Sequence, residues 1–242
     1  MENNMYNPYN GYATAAQAQE SLSLQSYVAK VMRRVFGKMF LGLLITAITS
    51  LLVVSSEAIL TFIFSSRIVF FGLIIAEFAL VFGLSAAINK LSSLTATLLF
   101  YLYAIINGIV LSSIFLVYSM SAITLTFAIT SATFGTMALF GYITRKDLSK
   151  MGSILFMALL GLIIATIVNI FLASSALDWI ISFAGVAIFT GLTAWDTQKI
   201  KNMASMTDPS QAGKVATMGA LALYLDFVNL FLYLLRFFGR NE

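Results

Sequence analysis

Residues 219–240 read GALALYLDFVNLFLYLLRFFGR, and this stretch decides the fold. From Gly219 to Leu235 its one charged side chain is Asp226. The run matches the ~20 apolar residues that carry a helix across a bilayer. A carboxylate in the middle of such a run costs about 2.5–3.5 kcal/mol on insertion scales, so it marks a functional site by default. On helical spacing Asp226 shares a face with Gly219, Ala222, Asn229 and Tyr233. Small residues on one side of it and polar ones on the other describe a surface packed inside a bundle. Arg236 extends the polar stripe approximately. A plain structural hydrogen bond between helices is the alternative use of this aspartate.

Working outward, further apolar segments precede this one, at about 36–55, 68–88, 96–118, 121–143, 151–173 and 178–197, with the last span at 217–237. Neither proline, Pro8 or Pro209, falls inside a span. Helices are required, because lipid offers the backbone no hydrogen-bond partners. The chain of 242 residues is 60% hydrophobic and only 10% charged, against roughly 25% charge in a soluble domain. The expected fold class is therefore all-α, a polytopic membrane protein of seven transmembrane helices in residues 29–242. Residues 1–28, polar and rich in Asn, Tyr, Ala and Gln, read as a disordered cytoplasmic tail. They lack the apolar core of a signal peptide.

Charge placement predicts orientation. Lys30, Arg33, Arg34, Lys38, Lys90, Arg145, Lys146, Lys150, Lys199, Lys201 and Lys214 collect on one side; only Arg67, Arg236 and Arg240 fall on the other. The positive-inside rule then puts the N-terminus in the cytoplasm. Arg236 and Arg240 oppose this for the last span, which leaves a re-entrant seventh segment open. The long connector, Thr197–Ala216, contains Asp208-Pro209-Ser210, a turn or helix-start signal. The net charge of +4 is too small to suggest nucleic acid. Without His or Cys, a zinc or haem enzyme is not expected. No connector is long enough for a soluble catalytic domain, so the chain reads as no enzyme and requires no cofactor.

Three of the ten acids lie at membrane depth: Glu77, Asp196 and Asp226. Asp196, in IFTGLTAWDTQK (188–199), shares a face with Gly185, Phe189 and Thr193. Beside it Ala184, Ala187, Gly191 and Ala194 form a strip that permits close helix approach. As an alternative, an aspartate near a span end is solvated or pairs with Lys199 at i+3. Glu77, in FFGLIIAEFALVFGLS (70–85), has an apolar face except for Ser85. It is a candidate third acid, either a ligand or proton site or a neutral structural group. The last two spans run antiparallel, which can bring Asp196 and Asp226 face to face. Two touching carboxylates cannot both ionise cheaply and share a proton. Protonated, the pair holds its helices together. Deprotonated, it repels and offers oxygen ligands to a hard cation such as calcium.

Three blocks carry a family resemblance: FGYITRKDLSKMG (140–152), WDTQKIK (195–201) and LYLDFVNLFLYLLRFFG (223–239). Together they resemble the bacterial branch of the Bax inhibitor-1 family over about residues 25–240. The tail and long connector resemble the modulators of the membrane-bound AAA protease within it. The resemblance implies six helices around a central seventh and a pH-sensitive calcium leak. It places the family's aspartate dyad on Asp196 and Asp226 and its second-span acid on Glu77. A family arginine that latches the dyad corresponds here to Ile88, so the latch is missing; Lys90 and Arg236 are the candidate replacements.

Two functions follow as expectations. One is a proton-gated calcium leak of the bacterial inner membrane, with Asp196 and Asp226 sensing pH and binding the cation, and Asn229 and Tyr233 lining part of a path. The other is an interaction protein that restrains a membrane AAA protease through the tail. An intramembrane aspartyl protease fits less well, because Leu223-Tyr224-Leu225 precedes Asp226 in place of Gly-x-Gly.

Overall fold

A computed structural model describes residues 8–88 and 90–239. The helices, in chain order, are α1 (Pro8–Val54), α2 (Glu57–Ser65), α3 (Arg67–Ala87), α4 (Ser93–Leu111), α5 (Ile114–Val117), α6 (Met120–Ile143), α7 (Ser149–Leu172), α8 (Ser175–Met206) and α9 (Ala212–Phe238). A single 3₁₀ turn, Pro209–Gln211, precedes α9. No strand occurs among the described residues. Seven of the helical segments are long and apolar enough to cross a membrane. The chain is an all-α, polytopic membrane protein.

Serines start several of these helices. Ser66, Ser92, Ser119 and Ser174 each accept a backbone N–H of the following first turn, at α3, α4, α6 and α8, which satisfies a donor left free by the helix geometry. Between α7 and α8 the chain reverses within two residues. Ala173 adopts the left-handed conformation (φ 48°), while Asn169 Oδ1 accepts the N–H of Ser174 at 3.1 Å.

Helix α9 is the centre of the bundle. In its apolar window 67% of residues are buried, against 6% for α3 and for α7. It packs directly on α1, α4, α6 and α8, while α3 leans on α4 and α7 leans on α8. The outer helices turn side chains such as Ile68, Phe71, Ile170 and Phe171 outward, the expected arrangement where the solvent is hydrocarbon. In lipid, close packing drives helix association, and glycine supplies it here. A Cβ at Gly141 of α6 would strike the backbone of Ala194 in α8, and one at Gly152 of α7 would strike the Trp195 ring.

Three expectations change. Residues 8–28, expected as disordered tail, are helical and continuous with the first span; Ala15-Ala16-Gln17-Ala18-Gln19 are strong helix formers. Residues 1–7 of that tail and Arg240 lie outside the described residues. The long connector largely disappears, because α8 continues to Met206. What remains is the turn at Asp208, whose Oδ1 accepts the Ser210 N–H at 2.8 Å with Pro209 at the first position of the turn. Finally, α2 and α5 are short helices, not anticipated, in the connections that follow α1 and α4.

Candidate functional site

Helices α8 and α9 are antiparallel and tightly apposed. A Cβ at Gly219 of α9 would meet Ile200 of α8 at 2.8 Å, and one at Gly185 of α8 would meet the Tyr233 ring of α9 at 2.5 Å. Between these two contacts the carboxyl groups of Asp196 and Asp226 come within hydrogen-bond reach of each other. The small residues on both faces bring the backbones close enough for two short side chains to touch.

The two acids are not equivalent. Asp226 is 4% exposed, and its Oδ2 is buried with no hydrogen-bond partner among the described residues. The Asp196 side chain is 14% exposed and has a neighbouring cation, Lys199 Nζ at 3.9 Å. Lys199 itself is half exposed and also sits over the Trp195 ring at 4.5 Å. Asp196 is thus the more exposed member of the pair, beside a counter-charge, and Asp226 the inner one. Thr193 and Thr197, both fully buried on α8, turn their hydroxyls back to their own helix at Phe189 O and Thr193 O. They leave the dyad to the two carboxyls alone.

The rim near Asp196 is fastened by residues that the sequence reading did not single out. Gln198 donates to Lys146 O at 2.8 Å and accepts from Leu148 N at 2.9 Å, which clamps the α6–α7 loop onto α8. Lys201 Nζ donates to Tyr142 O at 2.7 Å. In the same loop the Ser149 hydroxyl first, and then its N–H, which Asp147 Oδ1 accepts at 2.9 Å, hold that exposed carboxyl below its ordinary value. Asp208 is held down in the same way by Ser210. A polar side chain just past a span end, paired in sequence with a charged turn, is the signal that would have found Gln198.

Glu77 does not join the dyad. Its Oε1 accepts from Asn107 Nδ2 at 2.8 Å; Asn107 Oδ1 accepts from Tyr224 OH at 2.9 Å; and Tyr224 OH lies 2.6 Å from Thr46 Oγ1. This relay crosses from α3 through α4 and α9 to α1. Tyr224 and Asp226, two residues apart on α9, face roughly opposite ways, so the relay and the dyad lie on opposite sides of the central helix. Asn107, an amide deep in an apolar span, was legible by the same cost argument that singled out the acids.

The other candidates are placed as follows. Asn229 donates to Leu225 O of its own helix at 2.8 Å. Tyr233 stacks on Phe189, with centroids 5.8 Å apart, so the face of Asp226 does meet the face of Asp196. Arg236 pairs with Asp178 at 3.4 Å, at the opposite end of α8 from Lys199. Ten residues of helix, about 15 Å, separate it from Asp226, and it does not latch the dyad in this structure. Lys90 is exposed in the turn between α3 and α4, and Ile88 packs against the core. Neither replacement for the latch stands at the dyad.

A family model described as "Inhibitor of apoptosis-promoting Bax1" matches residues 28–242. The chain belongs to the Bax inhibitor-1 family. Family relatives are similar over nearly their whole length. "Inner membrane protein YbhL" of Escherichia coli (strain K12) is 48% identical over 227 residues, covering 93% of this chain and 95% of the relative. An uncharacterised protein of Borreliella burgdorferi is 47% identical, covering 93% and 97%. An uncharacterised membrane protein of Streptococcus pyogenes serotype M3 is 33% identical, covering 93% and 96%. The Bax inhibitor-1 blocks identified in the sequence are the parts of the chain that build the dyad and its rim.

Proposed function

We propose that this protein is a pH-sensitive cation leak of the bacterial inner membrane, with calcium as the transported ion and the Asp196–Asp226 pair as its gate. The observation that carries this reading is the facing of two carboxyl groups from adjacent helices, with Asp226 Oδ2 buried and lacking a hydrogen-bond partner among the described residues. A shared proton satisfies that oxygen and ties α9 to α8. Loss of the proton sets two negative groups against each other and drives the helices apart. Asp196, the more exposed member and the one beside Lys199, is where water exchanges the proton. The name of the Escherichia coli relative supports the inner-membrane location, and the positive-inside bias supports a cytoplasmic N-terminus.

The donor set suits a passing ion. Calcium takes 6–8 oxygen ligands in a resident site, and the described residues hold no group of three or more acidic side chains that would build one. Two carboxylates, with water completing the shell, attract the cation without trapping it. Calcium is cargo in this reading, not a resident ion. Reconstitution into liposomes tests the reading: calcium influx above that of protein-free vesicles, changing between pH 6 and 8, supports it. Influx equal to the protein-free control at every pH overturns it.

A second reading, restraint of a membrane AAA protease, draws on the length of α1. Its 47 residues run about 70 Å, against roughly 40–45 Å for a bilayer with its headgroups. The surplus forms a helical handle. Deleting residues 1–28 removes the restraint under this reading and leaves calcium flux intact.

A further inference from the structure

Helices α1 and α6 both pack on α9 but not along each other. The cleft between them is a chain of cavities. The first, ≈ 500 Å³, lies between Met32, Arg33 and Phe36 of α1 and Gly135, Ala138 and Tyr142 of α6. The second, ≈ 480 Å³, shares Phe36 and Phe134 with it and reaches Leu43 and Phe127, with Phe227 of α9 as floor. The third, ≈ 280 Å³, shares Leu43, Ala47, Phe127 and Phe227 with the second and continues to Met120 and Ile123. Together they form one apolar groove open to the bilayer.

The groove has a polar end. Tyr142 also lines an adjoining cavity of ≈ 440 Å³ walled by Gln25, Lys201, Asn202 and Ser205. Arg33, exposed and with no ion pair among the described residues, stands at the same mouth. Lys201 Nζ lies 5.0 Å above the Tyr142 ring. A polar, cationic pocket therefore opens into an apolar channel. From Arg33 to Leu43 is ten residues of α1, about 15 Å, which is half of the ~30 Å hydrocarbon core. The first two cavities, from Arg33 to Leu43, match in depth one acyl chain from the leaflet on the lysine- and arginine-rich side, and the third carries the groove on toward the opposite leaflet. Gly135 keeps it open: a Cβ there meets nothing within 4 Å.

We propose that this groove is a binding site for an anionic phospholipid, its phosphate held at Arg33 and Lys201 beside Tyr142 and one acyl chain laid between α1 and α6. The cations and hydroxyls at the mouth choose the headgroup; the groove takes the chain. The groove lies on the α1 and α6 side of α9, and its polar end shares Lys201 and Tyr142 with the rim near Asp196.

The test uses the full-length protein in nanodiscs with a phosphatidylglycerol analogue carrying a diazirine midway along one chain. Crosslinks concentrated on Phe36–Leu43 and Phe127–Phe134 are expected, displaced by unlabelled phosphatidylglycerol in preference to phosphatidylcholine. Arg33→Gln and Lys201→Gln should each weaken that preference by about fivefold. Gly135→Leu should abolish the crosslinks, while Gly161→Leu, at another position where a Cβ meets nothing within 4 Å, leaves them. A melting temperature for each variant separates loss of the site from loss of the fold. Labelling spread equally over α3 and α7, equal displacement by phosphatidylcholine, unchanged labelling in Gly135→Leu, or protein–protein crosslinks between two copies at the groove would each overturn the proposal.

Discussion

Asp196 of α8 and Asp226 of α9 meet carboxyl to carboxyl, and the buried Oδ2 of Asp226 has no hydrogen-bond partner among the described residues. That relationship makes the pair a unit. Truncating Asp196 to Ala strands a buried acid and should cost about 1–3 kcal/mol. Removing both acids should cost less than the sum of the single losses. Denaturation in detergent of Asp196→Ala, Asp226→Ala and the double variant gives the coupling, expected at about 0.5–3 kcal/mol. Simple additivity would mean that the two groups do not interact.

Close packing beneath the dyad predicts a sharp contrast on one helix. Gly141→Ala places a methyl against the backbone of Ala194, two residues from Asp196, whereas Gly135→Ala points into open space. The first should lower stability by about 1–3 kcal/mol; the second should change little. Melting temperatures of the two purified variants check this. Equal melting would show that α6 stands further from α8 than described.

The Glu77 relay predicts a structural, not a gating, phenotype. Asn107→Leu removes the bridge between Glu77 and Tyr224 and leaves the half-buried Glu77 and the buried Tyr224 each short of a partner. A destabilisation of about 1–3 kcal/mol is expected, with the midpoint of any pH response unchanged. Helix α3, which is held to the rest of the bundle mainly by α4, should show faster amide exchange in this variant. Exchange that stays as slow as in the wild type would remove Glu77 from the account of how α3 is attached.

The exposed caps provide the pH control. The hydroxyls of Ser149 and Ser210, together with their backbone N–H groups, hold Asp147 and Asp208 below the carboxylate's ordinary value. A lowered folded-state value means that any stability they contribute is fully present above the unfolded value of 3.8 and is lost as pH falls through the folded one. Neither titrates between pH 6 and 8. Asp208→Asn, which keeps a capping oxygen, should leave the pH profile of flux superimposable on the wild type.

Much of this was legible in the sequence. Asp226 stood out because an uncompensated acid in an apolar run is expensive, and Asp196 because small residues flank it. Glu77 was singled out by the same rule, but only the three-dimensional arrangement separates it from the dyad. The partner that decides its role, Asn107, is 30 positions away and on a different helix. The extent of α8 was missed because spans were bounded by hydrophobicity, whereas the helix runs past Lys199 and Lys201 into water. Arg236 looked like an extension of the Asp226 stripe; its length carries it instead to Asp178 at the far end of α8. The α1–α6 groove has no sequence signature, since it consists of helices that fail to touch.

The most direct measurement is calcium influx into liposomes from pH 6 to 8 for the wild type and for Asp196→Asn with Asp226→Asn. The gate as described predicts influx that rises with pH as the pair loses its shared proton, and a double variant whose influx no longer changes with pH. A double variant that keeps the wild-type pH dependence would contradict the central claim and move the sensor elsewhere in the chain.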